Sequence, residues 1–147
     1  MRIIIGSDHA GYKLKEHLKT YLVELGHEMR DVGAYDEQPV DYPDEAVEVA
    51  QGVANGNCDR GMLICGTGIG MSIAANKVPG VRAALVTDTM TAQLSRAHND
   101  ANVLCLGGWL VGEKLGEEIA KSWLDTMYDR GKHANRLRKI TNIEGRG

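Results

Sequence analysis

Short apolar runs that end in glycine or serine alternate with segments of helical periodicity along almost the whole of this 147-residue chain. Residues 3–5 are three isoleucines, followed by a glycine and a serine, as in a short strand that is buried on both faces. The next segment, 11–25, repeats its apolar residues at helical spacing, and Gly26 follows as a stop signal. This alternation predicts parallel strands that are joined by helices.

The alternation continues without low-complexity linkers or internal repeats. We predict strands at 2–7, 27–33, 61–65, 81–86 and 103–106. We predict helices at 11–25, 41–55, 71–77, 88–97, 113–128 and 133–143, the last of them basic. The predicted fold class is α/β: a single Rossmann-like, doubly wound domain over 1–147, with a five-stranded, mainly parallel sheet and helices on both faces. Ligands of such folds bind at the carboxyl ends of the strands.

Composition and charge argue against several classes of partner. The hydrophobic content of 43% and charged content of 25% are ordinary for a globular domain, and the net charge of -3 gives no basic excess for nucleic acid. No apolar stretch approaches the roughly 20 residues that cross a bilayer, and no secretory signal pattern is found. The three cysteines lack the close pairing of a zinc site. We therefore expect a cytoplasmic protein with reduced thiols and no nucleic-acid or membrane partner.

A glycine-rich loop at 66–70 separates a predicted strand from a predicted helix. Alternate glycines let successive backbone N–H groups point into one cavity, where a nest of this kind binds a phosphate or an oxyanion. The alternative is a tight turn that needs glycine for backbone reasons alone. The Walker pattern is absent, and the dinucleotide fingerprint fails because Met71 occupies its third glycine position. Asp88, about twenty residues beyond the loop, still leaves a nucleotide-binding module open as an alternative.

Chemically active side chains follow the predicted strands. Cys65 ends one strand beside the nest, where a helix dipole would stabilise a thiolate, although an inert core cysteine fits the same position. Asp8 follows another strand and is either a site residue or a cap of the next helix. His98 and Asn99 end a helix, where the dipole alone favours a protonated imidazole. The turn back to the next strand would bring them to the same edge of the sheet.

The chain becomes locally basic between Arg130 and Lys139. In a helix, Lys132 and Arg136 would share one face, because they are four residues apart. Such a face would clamp a phosphate group, since arginine forks match phosphate oxygens. The alternative is an ordinary solvated surface.

The chain resembles the type B ribose-5-phosphate isomerases, a family that also includes galactose-6-phosphate and allose-6-phosphate isomerases. Four motifs carry the resemblance: SDH at 7–9, DYP at 41–43, CGTGIGMSIAAN at 65–76 and RAHN at 96–99. It covers essentially the whole chain in order. The resemblance implies an aldose–ketose isomerase of the pentose phosphate pathway, interconverting ribose 5-phosphate and ribulose 5-phosphate through an enediolate, without metal or organic cofactor. A hexose-phosphate or free-sugar isomerase of the same family is the alternative.

The resemblance also implies roles for single residues. Cys65 would be the base that moves a proton between C2 and C1, and His98, with Thr67 nearby, would open the furanose ring. The implied substrate-binding residues are Asp8, His9, Tyr42, Gly66, Gly68, Gly70, Ser72, Asn99, Lys132 and Arg136.

The family builds its site at a dimer interface, so His98 and Asn99 would come from the neighbouring chain of a homodimer or a dimer of dimers. Two positions depart from the family pattern. Lys132 stands where relatives commonly carry arginine, and Trp109 stands where many relatives place another arginine that faces the phosphate. Both departures leave room for a different sugar.

Overall fold

The computed structural model, which describes residues 1–145, contains a five-stranded sheet in which every neighbouring pair of strands is parallel. The strands are β1 (Arg2–Ser7), β2 (Glu28–Asp31), β3 (Arg60–Cys65), β4 (Ala83–Leu85) and β5 (Val103–Gly107), in the order β2-β1-β3-β5-β4. The helices are α1 (Tyr12–Glu24), α2 (Tyr42–Ala54), α3 (Ile69–Ala75), α4 (Thr89–Ala97), α5 (Glu113–Asp125) and α6 (Lys132–Glu144). In this part of the chain, no helix has the length and apolar character that a membrane span requires.

The predicted α/β class is confirmed, and the elements follow one another in the predicted order. Differences are confined to their ends. The strand predicted at 81–86 is reduced to three residues, because the amide of Arg82 turns to the side-chain oxygen of Asn102 at 2.7 Å. The helix predicted at 113–128 ends at Asp125, because Thr126 is extended, with φ -85° and ψ 128°.

Successive residues of the central strands face two separate cores. Ile3 and Ile5 of β1 lie in the core that α1, α4 and α5 cover, whereas Ile4 lies in the core that α2 and α3 cover. Strand side chains alternate between faces, so a sheet covered on both sides needs apolar residues at every position. Helix α6 lies outside these layers and buries only Leu137 of its own residues.

The strand order reverses between β1 and β3. From β1 the chain moves outward to β2, and it then returns past β1 to form β3 on the other side. Connections that leave in opposite directions open a crevice at the carboxyl ends of these two strands. The register pairs Ser7 with Ile64, so Asp8 and Cys65 lie together at the mouth of that crevice.

Gly11 allows α1 to start directly against β3. A Cβ atom at this position would lie 2.2 Å from the carbonyl oxygen of Ile64. The neighbouring atom belongs to the main chain of a central strand and cannot yield cheaply.

Replacing Gly11 with alanine is therefore expected to lower the free energy of unfolding by about 1–3 kcal/mol, because α1 must move away from the sheet. Gly112→Ala is the matched control: Gly112 has φ -74° and nothing within 4 Å of an added Cβ. Urea denaturation of both variants measures the difference. Equal stability of the two variants would contradict the steric argument.

Candidate active site

Asp8 links the end of β1 to β3. Its amide donates to the carbonyl oxygen of Ile64 at 3.2 Å, and its carboxylate accepts from the amide of Gly11 at 3.0 Å. Asp8 therefore fixes the turn before α1, while the cap residue of that helix is Gly11 itself. The carboxylate is almost fully buried, and it also borders a cavity.

The glycine-rich loop wraps around the sulfur of Cys65. The amide of Gly68 donates to Sγ at 3.1 Å, and the Thr67 hydroxyl accepts from the amide of Ile69 at 3.2 Å. Gly68 has a φ of +80°, a left-handed conformation that glycine adopts without strain. Its position has no room for a Cβ, which would lie 2.9 Å from the main chain of Leu106. An amide N–H bonds more strongly to a thiolate than to a thiol, because the acceptor is then charged.

A cavity of about 440 Å³ opens in front of this sulfur. Cys65 is 5% exposed and contributes to the wall, so its sulfur is not sealed inside the core. Predicted site residues that line the same cavity are Asp8, His9, Tyr42, Cys65, Gly66, Thr67 and Gly70. Gly68 and Ser72 lie behind the lining: the Gly68 amide faces the sulfur, and the Ser72 hydroxyl donates to the carbonyl oxygen of Ile69 at 2.8 Å.

Two side chains at the cavity have a defined orientation. The amide of Val40 donates to Nδ1 of His9 at 3.3 Å, which makes Nδ1 the acceptor and leaves the proton of a neutral imidazole on Nε2. The ring of Tyr42 lies against Gly70, where an added Cβ would be 2.6 Å from Cζ. His9 can therefore donate a hydrogen bond from Nε2, and Tyr42 adds an aromatic wall.

Glu45 is a partly buried carboxyl group whose charge interacts with that of Asp8. One of its carboxylate oxygens is buried and has no hydrogen-bond partner among the described residues. Burial raises the pKa of Glu45, and the neighbouring charges of Asp44 and Asp8 raise it further. The ionised carboxylate is thus disfavoured in the folded protein.

A second polar cluster surrounds His98, the residue that ends α4. The rings of His98 and His133 stack, with centroids 4.2 Å apart and planes inclined by 12°. Burial lowers the pKa of His133, and the neighbouring His98, Lys132 and Arg136 lower it further. Three predicted residues, His98, Lys132 and Arg136, are therefore close together here.

Two arginines hold the turn that carries His98 and Asn99. Buried Arg96 donates to the Asp100 carboxylate at 2.8 Å and to the carbonyl oxygen of Ala101 at 2.7 Å. Arg82 donates to the carbonyl oxygen of Asn99 at 2.9 Å and to the other carboxylate oxygen of Asp100 at 3.1 Å. Asp100 has a φ of +45°, which a non-glycine residue keeps only when its surroundings hold it.

The cluster around Cys65 and the cluster around His98 lie at opposite ends of the strands. Helix α4 starts beyond the carboxyl end of β4 and runs back, so His98 and Asn99 lie before the amino end of β5. Arg82, which immediately precedes β4, contacts Asn99 there. The expectation that the turn brings His98 and Asn99 to the edge of Cys65 is therefore wrong within one chain.

The second cluster has the residue types of a metal site but not the geometry. Ligand atoms of His98, Asp129 and His133 lie within 4.8 Å of one another. Imidazole lone pairs lie in the plane of the ring, and a metal–nitrogen bond is only about 2.0–2.1 Å long. Two nearly parallel, stacked rings cannot both point at one ion, so these side chains would have to turn before they could chelate a metal.

The structure also disfavours nucleotide binding through Asp88. That carboxylate caps α4: it accepts from the amide of Thr91 at 2.7 Å and from the Thr91 hydroxyl at 2.9 Å. These hydrogen bonds lower the pKa of Asp88. The carboxylate is therefore already engaged, and it is not available to hold a ribose hydroxyl as the fingerprint requires.

A larger cavity of about 780 Å³ lies between α3, β4 and α6. Its lining combines apolar side chains, several of them from α6 and β4, with polar ones such as Lys77, Arg82 and Asn99, but it contains neither the thiol nor the glycine-rich loop. We assign the site to the smaller cavity, because a thiol, a carboxyl group and an imidazole converge there beside the glycine-rich loop, and such convergence identifies a site better than volume does. Sequence reasoning omitted three apolar members of that lining, namely Ala10, Ile69 and Ile73, and it considered Trp109 only as a departure from the family pattern.

A parallel α/β sheet with a thiol, a carboxylate and an amide nest at its strand reversal has the architecture of an enzyme that acts on a small molecule. The chain belongs to the Ribose/Galactose Isomerase family, whose sequence profile matches residues 3–140.

Individual relatives agree with this assignment. Ribose-5-phosphate isomerase B of Escherichia coli is 47% identical over 99% of this chain and 97% of its own. The structure of Clostridium thermocellum ribose-5-phosphate isomerase B superposes with a TM-score of 0.98, at 50% identity and 99% coverage of both chains. The 4-deoxy-4-sulfo-D-erythrose isomerase of a Clostridium species is 47% identical over 87% of this chain and 81% of its own.

Glu45→Gln is expected to raise the free energy of unfolding at pH 7 by up to about 1 kcal/mol, because it removes a disfavoured charge. Because the pKa of Glu45 is raised, its charge does not destabilise the folded protein below the ordinary value of 4.5. The destabilisation grows as the pH rises above that value, and it is complete once the pH has passed the folded pKa. Glu48→Gln, a more exposed change in the same helix, is the control. Urea denaturation at pH 7 and pH 4 tests the sign; a Glu45→Gln gain that persists unchanged at pH 4 would contradict it.

Proposed function

We propose that the protein interconverts ribose 5-phosphate and ribulose 5-phosphate by moving a proton between C2 and C1 through an enediolate. The observation that carries the proposal is the amide of Gly68 on the Cys65 sulfur, at the wall of a cavity that a small sugar phosphate can enter. The family of the chain and the names of its relatives support the same reaction. We place the reaction in the cytoplasm, and in the pentose phosphate pathway.

Cys65 acts as the base. Its thiolate removes the proton from C2 of the open-chain aldose, the C2–H electron pair forms the C1–C2 double bond, and the aldehyde oxygen takes the negative charge. The proton of the C2 hydroxyl passes to the C1 oxygen, so that the negative charge moves to the C2 oxygen. The electron pair of the C1–C2 double bond then takes the proton back from the sulfur at C1, and the C2 oxygen becomes the ketone. A thiolate held by an amide at 3.1 Å is oriented for this transfer without being consumed.

The amide nest stabilises the charge that develops on the enediolate oxygens. Gly66, Thr67 and Gly70 of the nest line the cavity, and the start of α3 adds the positive end of its dipole. Gly68 and Ser72 stabilise this arrangement without lining the cavity. The Gly68 amide donates to the Cys65 sulfur, and the Ser72 hydroxyl donates to the carbonyl oxygen of Ile69 in the first turn of α3.

The remaining predicted residues divide between sugar and phosphate. Asp8 and Tyr42 line the cavity and hold sugar hydroxyls, and His9 directs its Nε2 proton to the phosphate. Asn99 completes the hydroxyl contacts, and Lys132 and Arg136 complete the phosphate site. His98, with Thr67, opens the furanose ring by taking the proton of the C1 hydroxyl and returning one to the ring oxygen.

These last four residues act in the cavity of a second copy of the chain. His98, Asn99, Lys132 and Arg136 lie near the amino ends of the strands, whereas Cys65 lies at the carboxyl ends. One chain thus supplies the thiol and the nest, and its partner supplies the imidazole and the phosphate clamp. The protein functions as a homodimer or a dimer of dimers, with each site shared between chains.

A different sugar of the same class is the second candidate. Trp109 lines the cavity, and no arginine or lysine side chain is among the lining residues. A relative that is 47% identical is named for a four-carbon sulfonated sugar. Hexose 6-phosphates, free sugars and sulfonated tetroses therefore belong in the substrate panel, and solvent deuterium incorporation at C2 identifies which of them undergo proton transfer.

Cys65→Ala is expected to lower kcat for ribose 5-phosphate by at least about a thousandfold, while the Kd for that sugar changes little, because a base acts on the barrier and not on binding. Cys58→Ala is the control, since Cys58 is a buried thiol outside the cavity. Isomerisation is followed by ribulose 5-phosphate formation, and binding by calorimetry. Near-normal turnover in Cys65→Ala would remove the thiol from the mechanism.

Mixing two inactive variants tests the shared site. Cys65→Ala keeps an intact His98, and His98→Gln keeps an intact Cys65, so a mixed dimer contains one complete site. Refolding the two chains together in equal amounts is expected to restore about a quarter of wild-type activity, since half of the dimers are mixed and each has one working site of two. Each variant refolded alone is the control. A mixture as inactive as its parents would show that each site is built from one chain.

A further inference from the structure

We propose that Trp109 determines substrate specificity: its indole is a fixed aromatic wall that packs against the carbon chain of the sugar held in front of Cys65. The inference rests on the proposed function and deepens it, because it names the part of the site that measures the sugar rather than the phosphate.

The two tryptophans of the chain have opposite environments. Trp123, a residue of α5, is fully buried in the core, whereas Trp109 is 74% exposed. The exposed indole is not an isolated surface residue, because it borders the cavity that also contains Cys65, His9 and Thr67. A large aromatic side chain that is left open beside a cavity is suited to being covered by a ligand.

The backbone fixes where this indole lies. The amide of Trp109 donates to the carbonyl oxygen of Gly66 at 3.0 Å, and the amide of Val111 donates to that of Gly107 at 2.9 Å. The ring rests on Gly66 so closely that an added Cβ there would be 2.7 Å from both Cε3 and Cζ3. The wall is therefore already formed without ligand, and binding need not order it.

A second aromatic ring closes the other end of the nest. Tyr42 lies against Gly70 as Trp109 lies against Gly66, so the two rings stand at the two ends of the loop 66–70. A sugar whose oxygens contact the amides of this loop lies between the rings. The distance between two fixed walls limits how many carbons fit.

Trp109 is an uncharged member of the cavity lining, and its role differs from phosphate binding. Among the lining residues, His9 has the one imidazole, Asp8 has the one carboxyl group, and there is no arginine or lysine. Indole is neutral and has an apolar face, so it favours the C–H surface of a sugar over its phosphate. Trp109 therefore recognises carbon skeleton and length.

Three variants of the whole 147-residue chain test the proposal. Trp109→Ala removes the wall, Trp109→Phe retains a smaller ring, and Leu110→Ala is the control, because Leu110 is the exposed neighbour that does not line the cavity. Steady-state kinetics with ribose 5-phosphate and with hexose 6-phosphates give KM and kcat for each. Intrinsic fluorescence is recorded during titration with ribose 5-phosphate and, separately, with inorganic phosphate.

We expect Trp109→Ala to raise KM for ribose 5-phosphate about tenfold with kcat nearly unchanged, because packing stabilises ground and transition states alike. Relative turnover of hexose 6-phosphates should rise, and Trp109→Phe should fall between. Ribose 5-phosphate should change the emission of wild type and of Leu110→Ala but not of Trp109→Phe, since Trp123 is buried, and inorganic phosphate should leave it unchanged.

Wild-type KM and substrate ratios in Trp109→Ala would overturn the proposal. The proposal would also be overturned if Trp109→Ala lost subunit assembly, measured by sedimentation, while its KM stayed unchanged. Trp109 would then be a contact between subunits. If the wild-type protein itself does not turn over ribose 5-phosphate, the proposed function is rejected instead. In that event the fluorescence titration decides alone: a change with the sugar but not with phosphate supports the wall, and no change overturns it.

Discussion

The parallel pairing of β1 with β3 is the contact on which the candidate site depends. Because the strand order reverses there, no connection crosses the carboxyl ends of these strands, and a crevice stays open above the sheet. In the same register, the amide of Asp8 donates to the carbonyl oxygen of Ile64, which is one residue before Cys65. Because Gly11 has no side chain, the start of α1 lies close to β3, and the amide of Gly11 donates to the Asp8 carboxylate.

Much of this edge was predictable from the sequence, for a simple geometric reason. Parallel strands bring their carboxyl ends to one edge whatever their lengths, so Asp8, Cys65 and the glycine-rich loop had to meet once the strands were assigned. The role of Gly68 was not predictable. Its amide contacts the sulfur only because its φ is +80°, and several turn conformations accommodate the same string of glycines.

For His98, one feature of its position could have been predicted from the sequence and another could not. A helix between two parallel strands must return to the amino edge, and the nine residues of α4 span about 13 Å in doing so. That rule already placed His98 away from Cys65. The stack of His98 on His133, in contrast, depends on tertiary contacts such as the amide of Asp129 on the carbonyl of Ala97, and no periodicity links such distant positions.

The placement of the two polar clusters at opposite ends of the strands restricts how copies of the chain can associate usefully. In the shared site proposed above, each chain contributes one half with the thiol and one half with the imidazole, and the two halves lie at opposite ends of its strands. A closed arrangement about a two-fold axis joins both halves of both chains at once, with no half left over. A head-to-tail arrangement would leave one unmatched half at each end and keep adding chains, so the closed dimer proposed above would also prevent growth into filaments.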